Sequence, residues 1–183
     1  GFENTSIQQI AKKAEISVGS VYKYFENKDE LFAMVVKENL SLLEELLILH
    51  SSSNEDIMVK AEKVLKELLR FAKKHPQLIK LYCAITTGNN TDFSRMLAER
   101  VESISARIYT EVIEKGQAAG DVRKDVDPKF FAFLLDNIFM MLQFTSSCDY
   151  YKERFKVYIG EDVEEKEELI IEQTLKFIKA AFK

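Results

Sequence analysis

Hydroxyl and ammonium groups crowd the first part of this chain: Thr5, Ser6, Ser17, Ser20, Tyr22, Lys23, Tyr24 and Lys28. Such groups do no covalent chemistry by themselves. They hydrogen-bond to phosphate oxygens and to the edges of bases. Ser20 and Lys23 have the reach for base edges. Tyr22 and Tyr24 can offer hydroxyls to phosphates or bases, or can pack the segment internally. Thr5 and Ser6 open a helix, where backbone N–H groups can share an anion with them. Catalytic constellations are missing from the sequence. Its two histidines stand in no HxxE, ExxH or HExxH arrangement, and there is no phosphate-cradling glycine loop and no GxSxG. The sequence predicts no enzyme, no metal site and no cofactor.

The elements that hold these groups are short and sharply punctuated. Thr5 with Gln8, or Ser6 with Gln9, fits a capping box, and Ile7, Ile10, Ala11 and Ala14 follow at helical spacing. That helix must end near Glu15, because Ser17 caps a second one of about two turns with Val18, Val21 and Phe25 on one side. Two short helices across a three-residue turn make a helix-turn-helix. A recognition helix entering a major groove about 12 Å wide wants small residues at its leading end, which Val18, Gly19 and Ser20 supply after the Ser17 cap. Gly19 can instead serve helix packing alone. Asn27 with Glu30 caps a third, long helix running to about Leu49.

The run Gly1-Phe2-Glu3-Asn4-Thr5-Ser6-Ile7, Ile10-Ala11, Ala14, Ile16 to Phe25 and Asn27-Lys28-Asp29-Glu30-Leu31 resembles the DNA-binding head of TetR-family regulators. The resemblance covers roughly the first 36 residues; beyond them it is one of architecture. It implies a head over 1–36, a ligand-binding and dimerising helical body over 37–183, and double-stranded operator DNA and a small-molecule effector as partners. It also implies that Tyr22 and Lys28 contact the DNA backbone, with a solvated capping lysine as the lesser reading of Lys28. Two departures stand out. The family places a further helix before the position of Gly1, and it usually has glycine where this chain has Glu15. If that position needs a positive φ, Glu15 carries local strain.

The body reads as helices throughout, an all-α fold. One helix follows Asn54, with Ile57, Ala61, Val64, Leu65, Leu68 and Phe71 as its stripe, and Pro76 stops it. A short helix spans Gln77 to Thr86, and another runs from Asp92 to about Ala119 with Gly120 beyond its end. The expected effector pocket is lined by Phe71, His75, Leu78, Tyr82, Met96, Arg100, Ile104, Asn137, Met141 and Phe144, suited to an apolar or amphipathic molecule. For the apolar members, plain core is the alternative reading. Arg100 can pair with an acidic ligand or with Asp136, or snorkel to water. Asp127-Pro128 starts a helix that is apolar nearly all round and reaches about Cys148. One neighbour cannot cover every face of such a helix, so a second copy of the chain is expected against it. The last helix, after the acidic stretch Glu161 to Glu165, carries Ile171, Leu175, Ile178 and Phe182. Phe130, Phe133, Leu134, Met140 and those four residues are the expected homodimer interface.

Composition sets bounds without choosing a function. The 183 residues carry a net charge of −4, and residues 1–40 hold five lysines against six acids, so any nucleic-acid affinity rests on a few aimed groups. Cys83 and Cys148, far apart and outside any CxxC, read as reduced core thiols of a cytoplasmic protein, with a disulfide as the lesser alternative. The apolar run Phe130 to Phe144 is interrupted by Asp136, Asn137 and Gln143 and is too short for a bilayer, so no membrane is expected. The leading reading is a repressor released from a palindromic operator by the effector. A helical ligand-binding or scaffolding dimer without sequence-specific DNA binding is the alternative.

Overall fold

The structure, a computed structural model, describes residues 5–51, 55–87, 94–95, 98–160 and 162–183; side chains at 39–44, 46–47, 50–51, 100–101 and 164 are not described. Among the described residues every regular element is helical. Helix α1 (Ile7–Lys13) starts at Ser6, whose Oγ accepts from Gln9 N at 3.2 Å while Gln9 Oε1 accepts from Ser6 N at 2.9 Å. Of the two boxes the sequence allows, Ser6 and Gln9 form the one that closes. Helix α1 ends where Ile16 N returns to Ala11 O, with Glu15 in the left-handed region at φ 56°. The position does demand a positive φ, and a side chain other than glycine occupies it. Helix α2 (Val18–Tyr22) is shorter than the two turns expected, because Tyr24 and Phe25 both bond back to Val21 O and fold the chain toward the next cap. There Asn27 Oδ1 accepts from Glu30 N at 2.9 Å and opens α3 (Lys28–Ser51). Ile7, Ala11 and Val21 are buried together under Val18, Phe25 and Leu31, forming a small core of the head's own.

Helix α3 is continuous through residue 36, so the expected division after that residue falls within this helix. Val36 is fully buried against Ile85 of α5 (Pro76–Thr86), which fastens α3 to the body. Helix α4 (Ile57–Lys74) is capped by Asp56 and ends at His75, whose ring lies 4.7 Å from that of Phe71. A π-helical turn, Ala98–Glu102, leads into α6 (Ser103–Ala119), which stops at Gly120 with φ 87°. Gly116 is where α6 meets its surroundings most closely: a Cβ there would sit 2.7 Å from Val122 Cγ2 and 2.9 Å from Ile57 Cδ1.

Helix α7 (Pro128–Ser147) is the hub of the body and packs on α4, α5, α6 and the following helix, α8 (Asp149–Ile159). Phe131, Ala132, Leu135, Phe139 and Phe144 carry it into the main core. At 20 residues α7 has the length and hydropathy of a bilayer span, contrary to the length argument from the sequence. What it meets, however, is protein on several faces. Helix α8 was not foreseen. None of its residues is fully buried; only Tyr151 and Phe155 lean on the core, so it shows almost no amphipathic signal. A 3-10 turn, Val163–Glu165, then precedes α9 (Glu167–Phe182).

Candidate nucleic-acid interface

In the head, the N-termini of α1 and α3 open onto one cleft of about 550 Å³. Thr5, Ser6, Gln9, Tyr22, Asn27 and Lys28 line it, with Glu26 among them. Two helix N-termini, a lysine and several hydroxyls face one concavity, an arrangement whose N–H, O–H and ammonium groups attract anions. Tyr22, half exposed at 51%, stands between the two helix starts.

Helix α2 lies beside this cleft and buries only Val21 completely. Gly19, Ser20, Tyr22, Lys23 and Tyr24 are exposed, Tyr24 at 71%. Tyr24 therefore does not pack the head; its ring takes the Lys23 ammonium 5.7 Å from its centroid. Ser17 and Ser20 share a hydroxyl–hydroxyl bond of 2.8 Å, and Ser17 Oγ also accepts from Ser20 N at 3.0 Å. Both hydroxyls are thus fixed at the leading end of α2. A Cβ on Gly19 would meet nothing nearer than Ser17 Oγ at 3.7 Å, ordinary contact. No internal packing requires glycine there. What the missing side chain leaves is a bare backbone surface at the exposed tip of the helix, where another molecule can come close.

The expected effector residues are spread through the body. Phe71 and Phe144 are core, at 6% and 3% exposure, and Tyr82 lies 6.0 Å from Phe144 between ring centroids. Leu78, Ile104 and Met141 pack against the same core. Asn137 Nδ2 donates to Phe133 O of its own helix at 2.7 Å. Met96 and the side chain of Arg100 lie outside the described residues. A small apolar cavity of about 40 Å³ sits elsewhere, among Val64, Ile108, Tyr109, Val112, Leu135 and Phe139. None of the expected lining residues borders that cavity.

Sequence reasoning missed an acid pair. Glu102, at the end of the π turn, and Asp136, on α7, stand within electrostatic reach of each other beside Ser105 and Tyr109. Burial, then the charge of Asp136, pushes the Glu102 carboxyl up to about 7. Burial also raises Asp136, opposed by a hydrogen bond with Ser105. The buried Tyr109 phenol is pushed up by the same loss of water and by both acids. Asp136 alone on an apolar helix was a visible signal; its partner 34 positions earlier was not.

The expected dimer residues divide. Phe130, Phe133 and Leu134 are exposed at 58%, 59% and 46%, an uncovered apolar patch on α7. Met140, Ile171 and Leu175 are half-buried against the protomer's own core. Ile178 and Phe182 are not available at all: at 0% and 4% exposure they lie in that core, with Phe182 5.4 Å from Phe131 ring to ring. The stripe that marked α9 as apolar faces inward. Its outward residues are Leu169 and Phe177, exposed at 38% and 63%.

A short exposed second helix beside the cleft shared by the starts of α1 and α3 is the arrangement of a helix-turn-helix head. Residues 1–35 match the family model for bacterial regulatory proteins of the tetR family. The HTH-type transcriptional regulator YhgD of Bacillus subtilis (strain 168) is 26% identical over 148 residues, 79% of this chain and 74% of that protein. The fatty acid degradation regulator FadR of Bacillus halodurans shares the fold at a TM-score of 0.78, with 15% identity over 96% of this chain and 89% of its own. Thermus thermophilus FadR, a TetR-family repressor solved with lauroyl-CoA, gives 0.71, with 16% identity over 100% and 87%. The match to the tetR family model is confined to the head, and the rest of the chain shares the fold of these solved regulators.

Proposed function

We propose that this regulator is a homodimeric repressor that leaves a near-palindromic operator when a small apolar or amphipathic effector fills its body. The observation that carries the reading is the head: Tyr22 and Lys28 share one cleft with two helix N-termini, beside a helix whose polar side chains all point outward. In a dimer each α2 enters a major groove, the two half-sites being about 34–36 Å apart. The exposed patches of α7 (Phe130, Phe133, Leu134) and α9 (Leu169, Phe177) supply surface for the two-fold contact. Their desolvation contributes roughly 25 cal/mol per Å² buried. Such a protein works in the cytoplasm, where its operator is. Acyl-CoA esters are the first effectors to test, since the Thermus relative in fold was solved with one. An effector moves the equilibrium only by its preference between the two dimer states, a few kcal/mol for a usable switch.

The test is affinity for a duplex selected from a random pool, measured against salt. Specific binding with a steep negative salt slope supports the reading, and Lys28→Ala should flatten the slope by about one unit. Equal weak binding to every duplex would instead favour a helical dimer without operator recognition.

A further inference from the structure

The two cysteines, 65 positions apart in sequence, meet in the fold. Cys148 is the extended corner residue between α7 and α8, buried in the main core; Cys83 is half-buried on α5 and packs against that core. The two thiols lie close enough for Cys83 to act on the Cys148 thiol. A second rung holds the register: Lys80 Nζ, one turn before Cys83, donates to Asp149 Oδ1, next to Cys148, at 2.9 Å. Two adjacent positions of the corner thus face two positions of α5 three residues apart, one helical turn. Tyr151 closes the corner, its ring 5.6 Å from Phe144. No disulfide joins them in the structure.

We propose that Cys83 and Cys148 form a two-thiol oxidation site, which a peroxide converts into a reversible intramolecular disulfide clamping α5 to the α7–α8 corner. Cys83, the more accessible, meets the oxidant first. Its sulfur attacks the peroxide O–O bond and becomes a sulfenic acid, and the other oxygen leaves as water. The Cys148 sulfur then displaces the hydroxyl and gives up its proton, which leaves with that hydroxyl as a second water. Two thiols lose two electrons and two protons, and the peroxide takes both. Burial pushes the Cys148 thiol up to about 12, against the pull of Lys80, so it suits the second, intramolecular role better than first attack on a solute. A small dithiol reverses the bond by exchange.

The clamp acts on the element that carries the head. Ile85, on the C-terminal half of α5, is buried against Val36 of α3, and Leu81 and Tyr82 pack around them. A disulfide bond of about 2.05 Å is shorter than any thiol–thiol contact, so closing it shifts α5 relative to the corner, and with it the seat that α5 provides for α3. The oxidised dimer should hold its operator at least about fivefold more weakly, within the usual range of coupling between distant sites. That consequence rests on the regulator reading; the crosslink does not.

The test treats the reduced full chain with hydrogen peroxide, maps peptides without reductant, and measures binding to a duplex selected by the reduced protein. A Cys83–Cys148 linked peptide, absent from Cys83→Ser and from Cys148→Ser and removed by dithiothreitol, is expected together with weaker binding. Independent alkylation of both thiols after oxidant, or only bonds between chains, overturns the site. A crosslink that leaves affinity unchanged overturns its coupling to DNA. Mapping the wild-type chain needs no variant, so the proposal stays testable even where the buried Cys148→Ser fails to fold.

Discussion

Glu15 holds a backbone conformation that its own Cβ opposes. At φ 56° it lies in the left-handed region, ending α1 so that Ile16 N reaches Ala11 O at 3.0 Å. For an L-residue with a side chain that conformation costs roughly 1–2 kcal/mol, whereas glycine enters it freely. Glycine also widens the unfolded ensemble, which returns about 0.5–1 kcal/mol. Glu15→Gly should therefore stabilise the head by a net of about 0.5–1 kcal/mol. If the chain unfolds as one unit, a gain of that size raises the melting temperature by roughly 1–4 °C. If the head opens separately, the gain appears as slower hydrogen exchange at the amides of Val21 and Phe25, which depend on the head's small core. The control is Glu15→Ala, which removes the same charge and keeps the Cβ. Equal stabilisation by alanine and glycine would refute the argument, because charge rather than backbone strain would then be the cause.

Other consequences follow from packing and burial. Gly116→Ala should destabilise the body by about 1–3 kcal/mol, since its Cβ must displace Val122 and Ile57 from contacts under 3 Å; chemical denaturation reads the loss. Glu102 binds its proton more tightly folded than unfolded, with a carboxyl raised from 4.5 to about 7. Over that range the native state carries the extra proton, so stability falls as pH rises from about 4.5 to about 7 and then levels off. Glu102→Gln should flatten much of that fall, being near neutral at pH 5 and stabilising by on the order of 2 kcal/mol at pH 8. Asp136, raised by the same burial, adds a loss of the same sign.

What the sequence made legible was local. The caps at Ser6, Ser17, Asn27 and Asp127 and the αL stop at Gly120 each depend on residues within four positions, and all occur as the pattern implies. The strained turn at Glu15 was legible only through the resemblance, since the family usually has glycine at that position. Facing was less legible. An apolar stripe shows that one side of a helix is covered but not by what, so Ile178 and Phe182 looked like partner contacts and prove to be the protomer's own core. Helix α8 escaped notice because Tyr150, Val157 and Tyr158 put large apolar surface in solvent and leave almost no amphipathic contrast. The Glu102–Asp136 pair and the Cys83–Cys148 contact join residues brought together only by the packing of α7 on its neighbours. No spacing rule reaches across such distances.

The central claim is that α2 is an exposed rod whose tip meets DNA at close range. Gly19→Leu tests it directly, because Gly19 is exposed and a Cβ there meets only Ser17 Oγ, at 3.7 Å. The account predicts an unchanged melting temperature and loss of specific binding to the selected duplex, by tenfold or more for about 1.4 kcal/mol of lost contact. A Gly19→Leu protein that folds and binds that duplex as tightly as the unmodified chain would contradict it.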